Sequence, residues 1–184
     1  MLTATLPISM EEWFCRQILA NEVVIIRAYT IKRNIRYRVK RVKLGKAAIE
    51  DGVVVEMLEL EGLIRNFQKG VVYCRSIREC EALANKVKCG YYHSRLPIES
   101  RREMLQQWVD SKADSRWIVA PSGLEIGIDI KSIIAIIHMR QLYRLVDFVQ
   151  QTDRGGRRNG EIVDSVIITD GLPVYYDEFG SDID

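Results

Sequence analysis

Between Phe148 and Gly160 the chain reads FVQQTDRGGRRNG, in which three arginines and three glycines follow a pair of glutamines. Arg154 and Arg157 are separated only by Gly155 and Gly156. That spacing lets two guanidinium groups converge on one anionic target, while backbone without side chains approaches it closely. Two readings fit: an arginine pair that grips a phosphate, or a basic loop that is simply solvated. Upstream lies a second patterned stretch, APSGLEIGIDI, with glycines and acids at short spacing.

Positioning such residues requires a core. The chain has 184 residues, 47% of them hydrophobic, which is enough for one domain of sizeable interior. A formal net charge of +2 names no partner. Local charge says more: Arg27 to Lys46 contains nine Lys or Arg and no acid, whereas the end of the chain reads DEFGSDID. Cysteines stand at 15, 74, 80 and 89 without a CxxC pair or a histidine at ligand spacing, so no zinc site is expected. Unpaired thiols in a chain without a signal peptide point to a reducing, intracellular compartment. No apolar run has the length to span a bilayer, so no membrane partner is expected.

Taken in order, residues 1–6 read as a short strand that ends at Pro7. Ser9 is placed to cap a helix with Glu11 and Glu12 in its first turn and Trp13, Phe14, Ile18 and Leu19 as its apolar face. Strands follow at 23–28 and 35–42. The second alternates strictly, with Ile35, Tyr37 and Val39 on one side and Arg36, Arg38 and Lys40 on the other. The apolar side is expected to be buried. The cationic side either protects an edge strand or meets a nucleic-acid backbone. Apolar positions recurring at three and four predict a helix over 48–67.

From about residue 70, strands and helices alternate. GVVYCRS (70–76) reads as a buried strand, and Ser76 with Glu79 forms a capping box for the helix after it. GYYH (90–93) is a strand, and Pro97 opens a helix through Met104, Leu105 and Trp108. RWIVAP (116–121) is a strand followed by a second capping box, Ser122 and Glu125. SIIAIIHM (132–139) is a strand, 142–151 a helix and IVDSVIIT (162–169) a last strand. The pattern predicts an α/β fold with a parallel sheet covered by helices on both faces. Ligands of such sheets sit beyond the carboxyl ends of the strands, so PSGLEIGID and the loop after Gln151 are assigned to that edge.

In order, GVVYCRS, YYHSRL followed by Arg101, WIVAPSGLEIGIDI, IIHM and FVQQTDRGGRR resemble the second RecA-like lobe of superfamily 2 helicases. The likeness is to the RecQ-type DNA helicases, especially the telomere-linked ones of fungi, and it covers nearly the whole chain. MLTATLP resembles the strand that ends the first lobe, and NIRYRV the strand that opens the second. The resemblance divides the chain into 1–30 (the end of the first lobe and the inter-lobe segment), 31–172 (the C-terminal lobe) and 173–184 (an acidic tail).

The resemblance also implies roles. Gln150, Arg154, Gly156 and Arg157 match the family's Q-x-x-G-R-x-G-R, whose arginines reach ATP bound mainly by lobe one. There they stabilise charge on the γ-phosphoryl group. Gly127 and Asp129 match the G-x-G-I-D loop that links nucleotide state to the nucleic acid. Arg75, Ser76, His93, Arg101 and Ser122 match positions beside the DNA backbone, although His93 reads equally as a packed histidine. Three positions depart from the pattern. Asp153 replaces a glycine and could pair with Arg154, Pro121 replaces a threonine and loses both donors, and Arg95 replaces a glycine.

The G-x-x-x-x-G-K-[ST] loop and the acidic box for Mg²⁺ are not in this sequence, so ATP and Mg²⁺ would be held by a first RecA-like lobe supplied in cis or in trans. A zinc region would follow residue 170 and is not expected here. Two functions therefore stand. One is the C-terminal part of an ATP-dependent 3′-to-5′ DNA helicase, a hydrolase acting on single-stranded or unwinding DNA, inert in isolation and nuclear by kinship. The other is a non-catalytic remnant that binds nucleic acid or protein.

Overall fold

The computed structural model describes residues 8–19, 24, 32–65, 67–110, 115–121, 130, 132–140, 145–158 and 160–171. The expected strands at 1–6 and 23–28, the capping box at Ser122 and Glu125, and the tail 173–184 lie outside the described residues. The chain divides into two compact units, Met1–Arg33 and Asn34–Asp184.

In the first unit a 3₁₀ turn, Ile8–Met10, leads into helix α1, Glu11–Gln17. Ser9 does not cap it. It lies within the 3₁₀ turn, which displaces the cap to Met10, and no side chain closes the first turn. The short helix buries none of its residues, so Trp13 and its apolar neighbours are not a core face within it.

The second unit is built on six strands: β1 (Ile35–Arg41), β2 (Lys69–Tyr73), β3 (Gly90–Tyr91), β4 (Trp117–Ala120), β5 (Ile133–Met139) and β6 (Val163–Thr169). They form one sheet in the order β1-β6-β5-β2-β4-β3, and every pairing is parallel. Four helices connect them: α2 (Lys46–Glu61), α3 (Ile77–Val87), α4 (Ile98–Val109) and α5 (Leu145–Thr152). Alternate residues of each strand face opposite sides, and two clusters result. On one side Val72, Val119, Ile137 and Val166 pack with Ile49, Val53 and Met57 of α2 and with Cys80 and Leu83 of α3. On the other, Val71, Tyr73, Ile118 and Ile136 pack with Leu105 and Trp108 of α4. The expected parallel sheet with both faces covered is thus observed.

Two local expectations need correction. The helix over 48–67 stops at Glu61, because Gly62 closes it and Leu63 N–H turns back to the Leu60 carbonyl three residues earlier, at 2.9 Å. Strand β1 buries less of its apolar side than expected: Ile35 joins the core, but its neighbours on that side do not. Tyr37 and Val39 stay 49% and 63% exposed, while the cationic side faces α2. The reason is electrostatic. Glu56 of α2 is wholly buried and accepts from Arg38 Nη2 at 2.7 Å and from Lys40 Nζ at 3.1 Å. Glu59 reaches the same lysine, and Asp164 of β6 pairs with Arg36. A buried carboxylate demands cations, and β1 supplies them. β1 lies at the sheet edge, and its charges tie it to α2 and β6.

Replacing Glu56 with alanine should therefore lower unfolding free energy by roughly 2 kcal/mol, because Arg38 and Lys40 are part-exposed and regain water when unpaired. Glu59→Ala should change it by less than about 0.5 kcal/mol. Chemical denaturation of the two variants side by side measures the difference.

Candidate nucleotide- and DNA-contacting edges

In a parallel sheet each strand ends at one edge, and the helix after it returns the chain to the other. The loop 153–158 follows a helix, so it must lie at the amino edge, where the next strand starts. Its hydrogen bonds say the same. Gly156 N–H donates to the carbonyl of Ile133, first residue of β5, at 3.0 Å. Asn34 Nδ2, just before β1, donates to the carbonyls of Gly156 at 3.1 Å and Glu161 at 2.9 Å. The assignment of this loop to the carboxyl edge is therefore corrected.

The two glycines between the arginines are required by packing. A Cβ on Gly155 would lie 2.8 Å from Val163 Cγ1, and Gly156 has φ +62° with the Asn34 amide where its Cβ would stand. Without side chains the loop presses onto the sheet edge. Arg154 is half-buried and Arg157 exposed. Both charges act on the Tyr73 hydroxyl: burial raises its pKa far above the ordinary tyrosine value, and the two guanidinium groups oppose that rise. Asp153 N–H closes the helix end by donating to the Val149 carbonyl at 2.8 Å. The Asp153 charge is felt at Tyr37, whose pKa is raised by burial and then by that carboxylate.

Gln150 is exposed at the last turn of α5, and its neighbour Gln151 is buried. Gln151 belongs to a network that sequence reasoning missed. His138, 0% exposed in the middle of the sheet, donates from Nδ1 to Gln151 Oε1 at 3.1 Å. Its Nε2 then accepts from the hydroxyls of Thr152 and Ser165, each at 3.4 Å. Tyr73 stacks on the ring at 5.7 Å, and Phe148 tilts against it at 4.9 Å. Burial lowers the His138 pKa to about 4, against a smaller upward pull from Gln151. The signal was a lone polar residue within the apolar run SIIAIIHM.

Of the other predicted site residues, Arg75, Ser76 and His93 lie just past strand ends, at the carboxyl edge. Arg75 and Ser76 follow β2, and His93 follows β3, the edge strand beyond β4. Ser76 Oγ accepts from Glu79 N–H at 3.2 Å, so the expected cap forms, while Glu79 Oε2 reaches past it to accept from Arg75 N–H at 3.2 Å. Arg140, immediately after β5, has φ +75° and brings Nη1 within 3.6 Å of Glu79 Oε1. His93 is 4% exposed and hydrogen-bonds Glu81 at 3.1 Å while stacking on Tyr91, the arrangement of a packed histidine. Arg101 is half-buried on α4. Arg95 is exposed and keeps a negative φ, so replacing glycine there costs the turn nothing. Ser122, Gly127 and Asp129 lie outside the described residues.

The structure thus holds two chemically distinct edges, one with paired arginines and one with a capped helix start beside Arg75 and Arg140. Residues 53–159 match the model of the helicase conserved C-terminal domain. The chain belongs to that family. Its curated relatives are RecQ-like. A putative ATP-dependent DNA helicase Q1 of Caenorhabditis briggsae is 26% identical over 161 residues, covering 85% of this chain and 25% of that protein. The ATP-dependent helicase hrq1 of Schizosaccharomyces pombe is 29% identical over 143 residues, 68% of this chain and 13% of that protein. The chain therefore spans a quarter or less of the length of these two relatives. Among solved structures, the C-terminal domain of the DEAD-box protein Dbp5 superposes with a TM-score of 0.60 at 15% identity, covering 75% of this chain and 78% of that one. That likeness shows the fold, a RecA-like helicase lobe. With the helicase sequences it makes this a RecQ-like C-terminal lobe.

The His138 shift makes a signed prediction for the lobe. A histidine held neutral in the folded state and free to protonate near pH 6.5 when unfolded adds stability that is complete above that pH. It is lost as pH falls from 6.5 toward about 4. The loss attributable to His138 should be on the order of 3 kcal/mol, absent in His138→Asn, and measurable by urea unfolding across that window.

Proposed function

We propose that this lobe supplies the arginine pair and part of the DNA track of an ATP-driven, 3′-to-5′ DNA helicase of RecQ type. A first RecA-like lobe, in cis or in trans, would hold ATP and its Mg²⁺. Arg154 and Arg157 would meet the γ-phosphoryl group across the inter-lobe cleft, with Gln150 beside them. The geometry that carries the reading is the arginine loop: two arginines either side of a glycine pair, on a backbone pinned at the strand starts by Asn34 and Gly156. A rigid mount matters because phosphoryl transfer depends on pre-placed charge more than on covalent help from the protein.

Arg75, Ser76 and Arg101 would contact the backbone of single-stranded or unwinding DNA at the opposite edge. Gly127, Asp129 and Ser122 keep the roles their motif positions imply. Such contacts are electrostatic and indifferent to sequence. His93 would support this edge through Glu81 and Tyr91 and not touch phosphate. Pro121, which brings no donor where the family has a hydroxyl, favours the competing reading of a binding remnant without turnover. Nuclear residence, and kinship with the telomere-linked fungal enzymes, are part of the same proposal.

The lobe alone should hydrolyse no ATP. Joined to a lobe with a phosphate-binding loop it should show DNA-stimulated turnover, and Arg157→Ala should lower kcat by about 10³-fold or more. Turnover indifferent to that change would overturn the arginine assignment. In a binding assay, affinity for single strands should fall as salt rises, and Arg75→Ala should reduce the slope of log K against log salt by about 0.7. Affinity independent of salt would count against the phosphate contacts.

A further inference from the structure

Resting on the reading just given, we propose that His138 is a positioning residue for the arginine pair, a polar bolt that sets how α5 delivers Arg154 and Arg157. A histidine wholly buried in a strand of isoleucines is costly unless both ring nitrogens are satisfied. Here both are, and every partner except Ser165 lies on the last turn of α5. Nδ1 donates to Gln151 and Nε2 accepts from Thr152. Ser165 on β6 closes the network, 3.4 Å from both the ring and the Thr152 hydroxyl.

The next step carries this to the arginines. The same two residues that hold His138 with their side chains hold the arginine turn with their backbones. Arg154 N–H donates to the Gln151 carbonyl at 3.3 Å and Gly155 N–H to the Thr152 carbonyl at 3.0 Å. Apolar packing would keep α5 on the sheet, but it tolerates sliding and rotation. Directional hydrogen bonds at two successive residues, to one ring fixed between Tyr73 and Phe148, do not. Rotation of α5 would swing a long guanidinium side chain well off target, and a displacement of about 1 Å in a pre-placed catalytic group can cost on the order of 10²-fold in rate. The bolt also lies at the opposite end of the strands from the start that Gly156 grips. The loop is therefore held through β5 from both sides: through His138 by its helix, and through the Ile133 carbonyl by its backbone.

Two variants separate positioning from simple core filling. His138→Phe keeps a ring between Tyr73 and Phe148 and removes both hydrogen bonds. His138→Asn gives up the ring and keeps a donor where Nδ1 stood. In the two-lobe assembly the phenylalanine variant should lose about 10²-fold in kcat, with KM for ATP and single-strand affinity within about twofold of the parent. The asparagine variant should recover at least about tenfold of that loss. A merely structural role would lower kcat and DNA affinity together and rank the variants by stability, and that outcome would overturn the proposal. In the isolated chain, hydrogen exchange at the Arg154 and Gly155 amides should quicken by at least about tenfold in His138→Phe while Val72 of β2 is unchanged. If exchange quickens but Arg157→Ala leaves turnover intact, the arginine assignment fails and the bolt stands. If Arg157→Ala abolishes turnover but exchange is unaltered, the bolt is wrong and the assignment stands. Should the phenylalanine variant not fold, Gln151→Met carries the same test with the same two outcomes.

Discussion

Six strands running in one direction impose a polarity on everything attached to them. Among the described residues, α2, α3, α4 and α5 each carry the chain from the end of one strand back to the start of the next. Residues that follow strands and residues that follow helices therefore cannot share an edge, whatever their chemistry. This separates the lobe's arginine turn from Arg75, Ser76 and Arg140, which lie at the far ends of the strands. The parallel ladder both separates the two edges and joins them mechanically.

The joint is stiff where polar groups are buried and paired. Glu56 draws Arg38 and Lys40 onto α2 and ties the edge strand β1 to the layer above it. His138 does the corresponding work on the opposite face, where α5 meets β5 and β6. In both cases a group that is expensive to bury is fully partnered, and what it contributes is orientation more than net stability. The apolar clusters on the two faces hold the layers together. The polar contacts decide how the layers are turned.

Edge strand β1 shows what pattern leaves out. Alternation of apolar and cationic residues marks its two sides, and Ile35 is buried as that rule expects. That the cationic side meets a buried carboxylate, Glu56 of the neighbouring helix, is a tertiary fact. Nothing local to residues 35–42 contains that information, since Glu56 stands fourteen or more residues away in the chain.

Apolar periodicity, capping residues and glycines were enough to determine the strands from β1 to β6, the helices between them and a sheet covered on both faces, because those features act over a few residues. Collinear motifs were likewise enough to determine the helicase kinship, and Ser76 caps its helix as read. Only the tertiary structure decided that the arginine loop lies at the amino edge, that the cations of β1 meet Glu56 of α2, and that His93 is packed. It alone showed that His138 bridges a strand to the end of a helix. These depend on partners far apart in the chain, brought together by strand order and by the need to satisfy buried charge, and no local pattern encodes such pairings.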